Sequence, residues 1–188
     1  DKGKGFLGGK YVKDFEKKLQ KFYKVKYAIT VNSWTSGLIA AVGALDIEPG
    51  DEIITTPFSM CASAISILHW NAIPVFADID ENTFCIDPNS IKKNITQRTK
   101  AILVADIFGL SHDIVKINRI AKKYNLKVIT DSAQAPYSFY NNKLAGTQSY
   151  IGGFSYNYHK HIHTGEGGVV VTNNKIIAER VRKIRNHA

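Results

Sequence analysis

A chain of 188 residues with 44% hydrophobic content can bury one sizeable core, which excludes a disordered or fibrous protein and favours one domain over several. No apolar run reaches the roughly 18–20 residues that a bilayer span requires, and no apolar signal segment follows Asp1-Lys2-Gly3-Lys4-Gly5, so the sequence reads as soluble and cytoplasmic, with no membrane partner. The 25 basic and 16 acidic residues leave a net charge of +9, but Lys13, Lys17, Lys21 and Lys24 lie on a polar helix face, which predicts a solvated surface and no nucleic-acid partner.

Tyr11, Phe15, Leu19 and Phe22 recur at helical spacing with charges between them, which predicts an amphipathic helix over 11–23. A strand over 27–31 then runs into Asn32-Ser33-Trp34-Thr35-Ser36-Gly37, and an apolar helix follows over 38–45. A strand that delivers small hydroxyl residues to a helix start gathers unpaired backbone N–H groups and the positive end of the helix dipole, so Thr35 and Ser36 are candidate phosphate contacts. An ordinary serine or threonine cap is the plainer alternative.

The turn at Pro49-Gly50 leads into a strand over 53–56, and Pro57-Phe58-Ser59-Met60 opens a helix over 62–70. The next strand, 73–79, ends in Asp78 and Asp80, which read as solvated loop carboxylates because no third metal ligand accompanies them. Asp87-Pro88 starts a short capped helix. Strands over 101–107 and 126–130 flank a helix over 113–124, and two further strands, 150–156 and 168–172, precede a last helix over 176–186.

Seven apolar strands separated mostly by helices predict an α/β fold with a mostly parallel seven-stranded sheet and helices on both faces. Ligands of such sheets collect outside the carboxyl ends of the strands, where residues 33–36, 57–60, 131–134 and 155–160 all fall. Cys61 and Cys85 are too few for a disulfide framework or a cysteine-ligated metal site and read as free thiols. His159, His161 and His163 alternate without an acidic or cysteine ligand and read as a polar pocket wall, so no metal is expected.

Lys160 sits in a polar, glycine-flanked turn between two apolar runs, where it can be held and still be reached by a small molecule. Asp131 ends a buried strand, which is costly for a carboxylate unless a cation meets it. Pyridoxal 5'-phosphate (PLP), held covalently on the lysine with its pyridinium nitrogen against the aspartate, satisfies both residues.

Asp131-Ser132-Ala133-Gln134-Ala135, Phe154-Ser155-Tyr156 through Lys160, and Thr164-Gly165-Glu166-Gly167-Gly168 occur in this order and resemble the DegT/StrS-type PLP-dependent nucleotide-sugar aminotransferases, over about 6–188. The resemblance implies the large domain of the fold type I, aspartate aminotransferase-like transferases. It implies Lys160 and Asp131 as catalytic residues, Gln134 on the ring hydroxyl of PLP, and Ser155, Thr35 and Ser36 on its phosphate. Trp34 stands where the family has a small residue, with its backbone N–H still available. Met60 stands where an aromatic usually covers the PLP ring, so it is read as a thioether lid or as core packing. Glu166 takes a substrate or a structural role.

The implied reaction moves an amino group from an amino acid, usually glutamate, to a keto sugar on a nucleoside diphosphate, for deoxyamino-sugar and surface-polysaccharide synthesis. Family dehydratases carry histidine in place of the lysine, so Lys160 favours transamination. A 3-dehydratase of the same family and a non-catalytic basic nucleic-acid-binding module are the alternatives. The resemblance also implies a homodimer in which an asparagine from beyond residue 188 reaches the neighbour's PLP. The resemblance further implies a C-terminal small domain that residues 1–188 lack, and the non-methionine start adds to the expectation that they are a fragment, the PLP-binding large domain.

Overall fold

The computed structural model of the protein describes residues 8–186. Amphipathic α1 (Lys10–Tyr23) packs on β1 (Tyr27–Val31), and α2 (Trp34–Gly43) follows within three residues of the strand's end. The chain then alternates through β2 (Glu52–Thr55), α3 (Ala62–Leu68), β3 (Ile73–Phe76), α4 (Pro88–Asn94), β4 (Thr99–Ala105), α5 (Ile114–Lys123) and β5 (Lys127–Asp131). A two-stranded hairpin, β6 (Phe139–Tyr140) with β7 (Lys143–Leu144), precedes β8 (Ile151–Ser155), β9 (Gly168–Thr172) and α6 (Lys175–Arg185).

The main sheet has seven strands in the order β1-β9-β8-β5-β4-β2-β3. The pairs β2–β3, β2–β4, β4–β5 and β5–β8 are parallel, whereas β9 runs antiparallel to both β8 and β1. The expected mostly parallel seven-stranded α/β sheet is therefore what the chain forms. Its central strands are buried over most of their length because both faces are covered. In β4, Ala101 and Leu103 face a core shared with α2, α3 and α6, while Ile102 and Val104 face a second core with α4 and α5. The alternation follows from the two-residue period of a strand.

Several element ends differ from expectation. α2 begins at Trp34 instead of residue 38, because Ser33 caps it: the Ser33 Oγ accepts from the Ser36 N–H at 3.1 Å. β4 stops at Ala105, where Asp106 turns the chain into a short 3-10 turn, and β3 stops at Phe76, with Ile79 making only an isolated bridge to Ile86. Asp87 and Asp113 cap α4 and α5 through their carboxylates.

Candidate active site

The carboxyl ends of β4, β5 and β8 reach the same edge of the sheet, and the first turn of α2 and the 57–60 segment come to that edge. A cavity of about 240 Å³ opens there. Trp34, Thr35, Met60, Asp131, Gln134, Ser155, Lys160 and Glu166, all singled out from sequence, line it together. Ser36 does not line it, since its N–H is used by the Ser33 cap; Ser33 lines it instead.

Asp131 ends β5 with 6% exposure. Its Oδ1 accepts from the Trp34 indole N–H at 2.6 Å and from the Ala133 N–H at 3.1 Å, whereas among the described residues Oδ2 accepts only a long 3.4 Å bond from the Ser63 hydroxyl. Burial pushes this carboxyl above the ordinary range and the nearby Asp106 charge adds to the rise, while the bonds from Ala133, Trp34 and Ser63 oppose it. A cation arriving beside Oδ2 would relieve that cost.

Sequence reasoning missed Asp106 and His112. Asp106 lines the cavity just past β4, with Oδ1 accepting from the backbone N–H of His112 at 3.0 Å and lying 2.6 Å from its Nδ1, and with Oδ2 accepting from the Ser132 hydroxyl at 2.6 Å. Both residues are buried. The signal was present, a carboxylate ending an apolar run, but a strand drawn to residue 107 hides it inside β4.

The other wall is the loop 156–167 between β8 and β9. The Lys160 N–H donates to the Asn157 carbonyl at 2.9 Å, the Thr164 N–H to the Tyr156 carbonyl at 3.0 Å, and the Asn157 side-chain amide to Glu166 Oε1 at 2.5 Å. Glycine is required at 165, where φ is +83°, and a Cβ on Gly167 would come within 2.6 Å of the Thr164 hydroxyl. The loop is thus tied to itself and leaves Lys160 half-buried in the cavity wall. His159 lines the cavity, whereas His161 and His163 are exposed outside it.

Three groups in the cavity remain open to a ligand. The N–H groups of Trp34 and Thr35 donate no hydrogen bond among the described residues, so the start of α2 offers two donors at its positive end. Gln134 accepts the Phe108 N–H through Oε1 at 2.9 Å, which leaves its NH2 for an acceptor.

The profile of the DegT/DnrJ/EryC1/StrS aminotransferase family matches residues 1–188. The chain belongs to that family. Among curated members, the dTDP-3-amino-3,6-dideoxy-alpha-D-galactopyranose transaminase of Aneurinibacillus thermoaerophilus is 42% identical over 182 residues, covering 96% of this chain and 50% of its own. Among solved structures, Helicobacter pylori PseC, an aminotransferase involved in the biosynthesis of pseudoaminic acid, superposes with a TM-score of 0.90 at 38% identity, over 95% of this chain and 48% of its own. The Escherichia coli GDP-4-keto-6-deoxy-D-mannose-3-dehydratase, solved with bound hydrated PLP, gives 0.86 at 33% identity, over 91% of this chain and 46% of its own. The chain spans about half the length of the curated relatives it matches. No helix among the described residues is long and apolar enough to cross a membrane.

Proposed function

We propose that this family member forms the PLP-binding part of an aminotransferase that moves an amino group from an amino acid, glutamate by the family resemblance, to a keto sugar carried on a nucleoside diphosphate. The observation that carries the reading is one cavity lined by an amine, a buried carboxylate and an uncapped pair of helix N–H donors: Lys160, Asp131, and Trp34 with Thr35. These residues suit PLP group by group. The aldehyde needs an amine, the pyridinium an anion and the phosphate a set of donors.

When bound, PLP supplies an electron-withdrawing ring that stabilises negative charge on the carbon next to the transferred nitrogen. Lys160 Nζ would hold the cofactor through its aldehyde and would serve as the acid–base group that moves protons at that carbon. Asp131 Oδ2 would keep the ring nitrogen protonated. The Gln134 NH2 would orient the ring hydroxyl, Met60 would cover one ring face, and the N–H groups at the α2 start, with the Thr35 and Ser155 hydroxyls, would hold the phosphate; Ser36, whose N–H caps on Ser33, would act only through that cap. Glu166, fastened to Asn157, shapes the wall of the sugar side.

The reading places the reaction in a reducing compartment such as the cytoplasm, which agrees with two free thiols at Cys61 and Cys85. It includes a homodimer, and Met60, which lines the cavity, is exposed there. Lysine at position 160 favours transamination over water loss.

Protein incubated with PLP should gain a visible absorption band, and borohydride should fix the cofactor to the peptide containing Lys160, as read by mass spectrometry. Lys160→Ala should show neither. Identical, non-reducible spectra in both proteins would overturn the proposal, and salt-sensitive binding of DNA or RNA without cofactor uptake would point to the basic-module alternative. With keto sugar and glutamate, an aminated product separates the transaminase from a dehydratase.

A further inference from the structure

The Trp34 indole lies in a slot between α2 and β8 and is 5% exposed. Two glycines make that slot. A Cβ on Gly153 would overlap the indole's six-membered ring, and one on Gly37 would stand 2.6 Å from its Cε3. Glycine inside a strand or a helix is costly, and here both positions are explained by the ring they admit. At the end of the slot the indole N–H meets Asp131 Oδ1 at 2.6 Å.

The two oxygens of Asp131 are therefore unlike. Oδ1 is engaged by two N–H donors, and Oδ2 by one long hydroxyl contact. We propose that Trp34 is a positioning residue of the PLP site, whose indole N–H locks the Asp131 carboxylate through Oδ1 so that Oδ2 is the oxygen presented to the cofactor's ring nitrogen. This rests on the PLP reading above and adds to it a side-chain role at a position where the family resemblance supplies only a backbone N–H.

An N–H donated to a carboxylate also favours its charged form. Burial pushes Asp131 towards its neutral form, and the indole is one of the groups that opposes this. The other charged or titratable groups around the cavity are Asp106, tied to His112 and Ser132, and Lys160, His159 and Glu166 on the loop. A purely volumetric role for Trp34, filling the glycine slot, makes a different prediction, because phenylalanine fills most of the slot and donates nothing.

Trp34→Phe is the deciding variant. In cofactor-free protein with ¹³C-labelled aspartate carboxyls, the Asp131 signal, assigned with Asp131→Asn, should titrate at higher pH in Trp34→Phe than in the wild type. PLP affinity, followed by the visible band, should fall on the order of tenfold, the size of one charge-assisted hydrogen bond, with a greater loss towards acid pH. A variant that titrates Asp131 and binds PLP as the wild type does overturns the proposal. If the wild type binds no PLP, the cofactor reading falls while the carboxyl titration still decides the Trp34 contact. If Trp34→Phe does not fold, the wild-type indole N–H resonance, assigned against Trp70→Phe, must shift in Asp131→Asn; an unmoved resonance overturns the proposal.

Discussion

Two carboxylates lie side by side at the edge of the sheet, Asp131 at the end of β5 and Asp106 just past β4, joined where the Asp106 N–H donates to the Asp131 carbonyl at 2.9 Å. Asp106 has an imidazole, a backbone N–H and a hydroxyl as partners, so its charge is met within the fold. Among the described residues Asp131 has no cationic partner in contact, and its bonds to Trp34, Ala133 and Ser63 leave one oxygen poorly satisfied. The difference separates a carboxylate that builds the wall from one that awaits a ligand. Removing a member of a buried, hydrogen-bonded pair strands its partners, so Asp106→Ala should destabilise the protein by about 3 kcal/mol or more. Denaturant unfolding measures that loss. Because the Asp106 charge is one of the causes raising the Asp131 carboxyl, a folded Asp106→Ala protein should also titrate Asp131 at lower pH than the wild type.

The elements that hold these residues were legible where apolar periodicity marks them. The runs around 27–31, 101–107, 126–130 and 168–172 each became a strand, and the helix periods around 11–23 and 113–124 each became a helix. Element ends were less legible, because a strand ends where its hydrogen-bond partner ends and not where the apolar residues stop. Trp34 shows the same limit for the site: its backbone could be placed at a helix start from sequence, but its indole could be placed on Asp131 only once β8 was known to lie against α2. Gly152 belongs to this class. It pairs with Thr130 on β5 and Val171 on β9, and a Cβ there would run into the backbone carbonyl of Gly146, which cannot swing aside as a side chain would. Gly152→Ala should therefore lower stability by about 1–3 kcal/mol, as overpacking does. The melting temperature should fall, and with it the hold of the β8–β9 loop on Lys160; an unchanged melting temperature would contradict the packing described.

At the scale of the whole molecule, pH acts on stability through carboxylates of opposite sign. Glu52, whose side chain is 4% exposed, is held below the ordinary carboxylate range chiefly by the Thr96 hydroxyl and also by Arg98, with guanidinium bonds of 2.6 and 2.9 Å. Asp113 is likewise lowered: burial works against the shift, but the Lys116 N–H and ammonium and the Tyr140 hydroxyl outweigh it. In the unfolded chain such groups bind more protons, so their contribution is present above the ordinary carboxylate pKa and is lost as pH falls through their depressed values. Asp131 has the reverse sign. Its folded carboxyl is raised, so the folded state binds more protons and stability declines as pH rises from the ordinary carboxylate value through the folded one. Cofactor-free protein should therefore lose stability as pH rises above the ordinary carboxylate range, and Asp131→Asn should abolish that decline while leaving the acid-side loss due to Glu52 and Asp113 in place. PLP, which brings a cation to Asp131, should stabilise the wild type more than the Asp131→Asn protein, and more above the ordinary carboxylate range than within it. Melting temperatures across the pH range, with and without PLP, measure all of these effects, and a cofactor-free wild type whose pH dependence matches that of Asp131→Asn would show that Asp131 is not left unpaired by the fold.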